Sequence, residues 1–177
     1  MISAINIHKD SLRKESFRND ILINLEPDHF KNWGPLDDIS LYLFSFDEMF
    51  LTIKFYFDGN RGGVSWHTEN YTMINLLTEE KVRLEDIFQI NYISKFSNRI
   101  IRENINAELN CLNHDWIPLS NTFYFNQNSI TFVYNKYDIS CGADGLIEVE
   151  IPFYKIDQYL RSDFKLNYFK QSNLKYP

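Results

Sequence analysis

From Ile39 onward the chain alternates. Ile39, Leu41 and Leu43 are interleaved with Ser40, Tyr42 and Phe44, and Leu51, Ile53, Phe55 and Phe57 repeat the period of two. Successive side chains of an extended chain point to opposite faces, so this pattern predicts two strands. Asp58-Gly59-Asn60-Arg61-Gly62-Gly63 is a glycine-rich turn or loop, and Val64 to Leu76 returns as a third strand, giving an antiparallel meander. Leu84 to Phe88 has the look of a single helical turn. From residue 92 to residue 110 the period changes: Ile93, Phe96, Ile100, Ile105 and Leu109 fall three to five apart, which predicts an amphipathic helix of about five turns. Phe123 and Phe125, then Ile130, Phe132 and Tyr134 across a Gln127-Asn128 turn, predict a hairpin. After a loop from Asn135 to Gly145, Ile147, Val149 and Ile151 form a last alternating strand. Pro152 ends it, because proline cannot donate to the ladder, and Phe153 to Leu160 reads as a second helix.

Strands, a helix, strands and a helix make an α+β domain: an antiparallel β-sheet meander packed against one long and one C-terminal helix. The 177 residues fit a single domain. Residues 1–38 are its least patterned part, with a short strand-like run at Ile21, Ile23 and Leu25 followed by Pro27 and Trp33-Gly34-Pro35; residues 39–162 form the α+β core, and 163–177 a C-terminal tail. No repeat or low-complexity linker interrupts the chain.

Composition changes the picture little. A hydrophobic fraction of 44% excludes a disordered chain, and no run approaches the roughly 20 apolar residues of a membrane span. The chain holds 20 Ile and 19 Asn against 3 Ala, a bias of an AT-rich bacterial coding sequence that inflates Phe and Tyr as well. Aromatic content is therefore a poor guide to a ligand groove. A formal charge of −6 without a basic cluster argues against nucleic acid and suits a cationic protein partner or simple solubility. The first ten residues lack the apolar core of a signal peptide, so the expected location is cytoplasmic if Met1 is native, and periplasmic or extracellular if a leader was removed.

Chemistry is sparse. There is no phosphate loop, dinucleotide fingerprint, nucleophile elbow or H-E-x-x-H helix. His67 and Glu69 share a strand face and could form an acid/base pair, although exposed strands often carry such residues. Asp58-Gly59-Asn60 lacks the closing Glu of a calcium loop and is read as a turn. Cys111 and His114 make half of a zinc site, which needs two further ligands; two buried thiols are the plainer reading, and the cysteine pair allows one disulfide or none. No catalytic residue, metal site or cofactor is expected.

Two segments resemble a known family. Asn75-Leu76-Leu77-Thr78-Glu79-Glu80-Lys81-Val82-Arg83-Leu84-Glu85-Asp86-Ile87-Phe88 resembles its strand, basic turn and leucine-x-aspartate-leucine-phenylalanine helix start. Phe123 to Asp138, with Tyr137-Asp138 as the tyrosine-acidic pair, then Gly145 to Phe153 resembles its hairpin, glycine-ended loop and strand closing on Ile-Pro-Phe. Together, over roughly residues 50–162, they are similar to the RsiV-like domain family, found in the extracellular part of an anti-sigma factor and beside a peptidoglycan deacetylase domain.

That resemblance implies a non-catalytic binding module, in the anti-sigma factor a lysozyme receptor, to whose contacts the loop equivalent to Ser140–Asp144 contributes. The expected function is recognition, and inhibition, of another protein: a lysozyme-like cell-wall hydrolase or an interbacterial toxin, as an immunity protein would do. Interfaces draw their energy from a few aromatic or arginine anchors, so Arg61, Trp66, Tyr137, Cys141 and Asp144 are the expected partner-binding residues. The alternative is a peptidoglycan- or carbohydrate-binding domain of the envelope, with a muropeptide ligand stacked on aromatic faces.

Overall fold

The computed structural model describes residues 38–46, 49–61, 64–105, 108–112 and 116–171, without the side chains of 60–66, 90–96 and several isolated positions. The irregular N-terminal part, including Ile21 to Leu25, lies outside the described residues.

Among the described residues, seven strands form two antiparallel sheets. The first contains β1 (Asp38–Phe46), β2 (Phe50–Arg61), β3 (Val64–Asn75) and the two-residue β4 (Glu80–Lys81), in that order. The second contains β5 (Phe123–Asn126), β6 (Ser129–Tyr134) and β7 (Ile147–Pro152). The α+β class and the antiparallel meander hold, but the strands divide into two sheets instead of one. The β2–β3 ladder is unbroken from Phe50↔Asn75 to Arg61↔Val64, so Asp58, Gly59, Asn60 and Arg61 are strand residues and not the expected turn.

Four α-helices accompany the sheets among the described residues: α1 (Leu84–Ile87), α2 (Ile90–Asn104), α3 (Phe153–Ile156) and α4 (Ser162–Gln171). The α1 start is fixed by Asp86, whose carboxylate accepts the Arg83 N–H at 2.8 Å. The long helix starts at Ile90 and ends at Asn104, short of the expected residue 110, because Asn104 turns its amide onto the Ile100 carbonyl (2.7 Å) and accepts Lys155 Nζ (2.7 Å). Ile105 and Leu109, which extended the helical spacing, pack against the core from a loop. The second helix is one α turn followed by a 3₁₀ turn over Asp157–Tyr159. The expected tail contains α4, which buries Phe164 and Tyr168 one helical turn apart.

The main core lies on one face of the second sheet. Ile130, Phe132, Val149 and Ile151 meet Ile87, Phe88, Ile101 and Ile156 there. Phe50 and Met73 of the first sheet join this core, with the Phe50 ring against Phe125 at 5.4 Å. On the other face, Phe44, Tyr71 and Tyr124 converge, ring centroids 4.7 to 5.0 Å apart. Polar clamps fasten the same seam, with Thr122 Oγ1 donating to Asn70 Oδ1 at 2.9 Å.

Burial, with the Glu69 carboxylate beside it, raises the Tyr71 phenol well above the usual tyrosine range. Burial and Glu148 push Tyr124 up to about 12. A phenol whose folded pKa is raised contributes stability that is complete below pH 10 and is lost as pH climbs through the folded value. Absorbance titration at 295 nm should therefore leave these phenols protonated beyond pH 10, with folding stability falling between pH 10 and 12. Titration of every tyrosine near 10 in the folded protein would show that the seam is not closed.

Among the described residues no helix is long and apolar enough to cross a membrane.

Candidate functional site

β6 leaves the sheet into a tight turn. Asp138 accepts the Asn135 N–H on its carboxylate (2.7 Å) and donates its own N–H to the Asn135 carbonyl (3.0 Å). The Asn135 side chain faces the other way and pairs with the Glu69 backbone, accepting its N–H at 2.8 Å and donating to its carbonyl at 3.0 Å. One asparagine thus closes the turn and occupies the outer edge of β3. Tyr137 stands at the third position of this turn with φ +75°, where glycine is ordinarily favoured. The residue is 64% exposed, with Lys136 Nζ 5.3 Å from the ring centroid. It lies over Gly142 so closely that a Cβ there would collide with it.

The following residues hold a second loop. Ser140 forms an isolated antiparallel bridge with Leu112. Next to it, Cys141 and Cys111 are joined in a disulfide, Cα atoms 5.6 Å apart. The Gly142–Asp144 turn then presents the Asp144 carboxylate to Asn110, which donates its backbone N–H at 2.9 Å and its side-chain amide. Those donors hold the Asp144 carboxyl below its ordinary pKa. Gly145, at φ +69°, lets the chain turn into β7.

Further along the second loop the chain is fastened to the core. Asn98 of α2 accepts the Ile117 N–H at 3.1 Å, and the Tyr134 hydroxyl donates to the Pro118 carbonyl at 2.7 Å. Ile117 and Leu119 point inward, which leaves Trp116 48% exposed. Among the described residues, Leu112, Trp116 and Tyr137 are the large exposed apolar side chains that these two loops carry.

Three of the expected partner-binding residues, Tyr137, Cys141 and Asp144, sit together here. Only Tyr137 offers its side chain freely. Cys141 is spent in the disulfide, and Asp144 is turned onto Asn110. Arg61 and Trp66 lie near the end of the β2–β3 hairpin, where Arg61 pairs with Val64 and Gly59 with Trp66; their side chains are outside the described residues. Trp66 is three residues along β3 from the Asn135 clamp, about 10 Å at the usual strand rise. Leu112, Trp116 and Asn110 were not singled out in the sequence, and Asn135 entered only as the start of a loop. An Asn-x-x-Asp turn at 135–138 was the legible signal for Asn135.

The other candidates dissolve into structure. Glu69 is ion-paired with Lys54 at 2.7 Å and accepts the Tyr71 hydroxyl at 3.0 Å, while the exposed His67 ring lies parallel to Tyr56 at 5.9 Å. Cys111 and Cys141 are half-buried and bonded, not two buried thiols. With Asp144 they form the one cluster of potential metal ligands among the described residues, and the disulfide leaves it a single carboxylate. His114 lies outside the described residues. A cavity of about 180 Å³ opens between Phe50, Val82 and Phe164 and shares no residue with the two loops.

Comparison with known proteins bears on the fold. No curated protein matches the sequence. Among solved structures, a Bacteroides fragilis member of the DUF3298 family superposes with a TM-score of 0.62 at 19% identity, covering 88% of this chain and 68% of that one. A DUF3298 family protein from Pseudomonas aeruginosa gives 0.53 at 10% identity, over 71% of this chain and 62% of its own. At such identities the likeness is one of fold. Residues 85–154, from α1 through β7 and both loops, match the family described as "Protein of unknown function (DUF3298)".

Proposed function

We propose that this chain is a non-catalytic protein-binding module, related to the RsiV-like domains, whose two disulfide-tied loops recognise and inhibit another protein. A lysozyme-like cell-wall hydrolase is the first partner, an interbacterial toxin the second. One observation carries the reading: Tyr137 adopts a left-handed conformation that costs a non-glycine residue roughly 1–2 kcal/mol, yet holds its ring in solvent. An exposed aromatic side chain at a strained backbone position, resting on a glycine, supports a role outside the fold. Tyrosine is a preferred interface anchor because it offers a large rigid surface at little entropic cost. Leu112 and Trp116 add apolar area on the same loops.

The test is titration of a C-type lysozyme with the oxidised chain by calorimetry, with wall-lysis activity followed in parallel. Binding that slows lysis and weakens at least about 30-fold in Tyr137→Ala, the 2 kcal/mol of a hot-spot residue, is the expected result. Binding of a muropeptide in place of the enzyme, with the same dependence on Tyr137, would replace the protein partner with a glycan.

A further inference from the structure

The Cys111–Cys141 bond serves the loops and not the core. The main cluster of buried apolar residues contains neither cysteine, and its centre (Phe132, Val149, Ile151, Ile156) belongs to β6, β7 and α3. On one side of the second loop the chain is held to α2 by the Ile105 N–H donating to the Ile101 carbonyl at 3.0 Å; on the other it is held by Ile117 on Asn98. Between them, among the described residues, Leu109 packs against the core, and Asn110–Leu112 beyond it is held by the Leu112↔Ser140 bridge, the Asp144 carboxylate and the disulfide. The bridge joins buried Ser140 to the partly exposed Leu112, and the Asn110–Asp144 contact is exposed, where water competes for its donors. The covalent bond is what keeps Leu112 beside Ser140 and the Gly142 turn under the Tyr137 ring.

We infer that Cys111–Cys141 is a redox clasp that assembles the two loops, so that their surface is displayed in oxidising surroundings and withdrawn when a dithiol reduces the bond. This rests on reading the loops as a recognition surface. Both cysteines are half-buried, open enough for a small thiolate. One thiolate of the dithiol attacks one Sγ and expels the other, which takes up a proton. The second thiolate of the reductant then closes its own ring, forming a cyclic disulfide and expelling the first Sγ, which is protonated in turn. Two electrons pass from the reductant to the cysteine pair. Freed of the bond, Asn110–Leu112 parts from Ser140–Asp144, and the Tyr137 ring loses its platform. Disulfides persist in oxidising compartments, so the partner of these loops is a protein met there.

Hydrogen exchange followed by mass spectrometry decides this on the full chain, oxidised, reduced with dithiothreitol, reoxidised, and as Cys111→Ser/Cys141→Ser. On reduction, amides of 110–112 and 141–145 should reach the rate of unstructured chain while β6 and β7 keep at least 100-fold protection, and reoxidation should restore the loops. Equal loop exchange in both states, or loss of protection throughout β6 and β7 as well, would overturn the clasp. This readout needs no partner, so failure of both redox forms to bind lysozyme would count against the recognition reading alone. A lysozyme that binds oxidised and reduced chains equally would overturn the clasp and leave recognition standing.

Discussion

Phe132→Ala is expected to cost about 3–5 kcal/mol of folding free energy, the range for truncating a fully buried phenylalanine. Phe132 is wholly buried on β6, the central strand of the second sheet, with its ring 6.2 Å from Phe123 and 6.4 Å from Phe88 of the segment after α1. Every residue of β6 is buried, so neither face can relax toward solvent to fill the gap. A domain of this size holds roughly 5–15 kcal/mol in all, so the variant should melt on the order of 10 °C lower. In urea the midpoint should fall at constant slope. A loss below about 1 kcal/mol would mean that the space around Phe132 is not close-packed, and that the two loops are not seated on a rigid sheet.

The second large effect separates stability from recognition. Tyr137→Gly removes the anchor and also relieves the left-handed backbone, since glycine adopts φ +75° without penalty. The gain of roughly 1 kcal/mol or more from relieved strain is partly offset by the extra freedom of glycine in the unfolded chain. Folding stability should therefore be unchanged or rise by up to about 1 kcal/mol, while affinity for the partner falls at least about 30-fold. Gly142→Val approaches the same surface from beneath, because any Cβ at Gly142 displaces the Tyr137 ring. The ring is exposed and can swing outward, so the fold should survive and binding should suffer as it does in Tyr137→Gly. A Tyr137→Gly protein that loses stability and keeps its affinity would make Tyr137 a structural residue and nothing more.

What was legible in the sequence is what depends on near neighbours. Leu51, Ile53, Phe55 and Phe57 announced a strand by their period of two, and β2 runs through all four. Ile147, Val149 and Ile151 did the same for β7, whose burial alternates along the strand. The division into two sheets was not legible, because the Phe44–Tyr71–Tyr124 seam joins residues that no local period relates. The end of α2 was misplaced for a related reason. Ile105 and Leu109 are apolar because they face the core, and a loop can present them to it as well as a helix can. The helix α4 left its signal in Phe164 and Tyr168, four residues apart, masked by the lysines around them.

At the candidate site the residue types were readable and their employment was not. Asp144 was expected as a partner-binding residue of its loop, yet its carboxylate serves Asn110, 34 residues away in sequence. The two cysteines could be counted, but whether they bond depends on a separation that only the folded loops set. Tyr137 was visible as half of a tyrosine-acidic pair, and its backbone conformation is what turns a surface tyrosine into a candidate anchor.

The central claim is that these loops exist to hold another protein through Tyr137. Parallel capture from bacterial envelope and culture fractions, with oxidised wild-type chain in one lane and Tyr137→Gly in the other, tests it most directly. A wall-degrading enzyme or toxin retained by the wild-type chain and absent from the variant lane is the result expected. A protein retained equally by both would contradict the claim and move recognition to another face of the molecule.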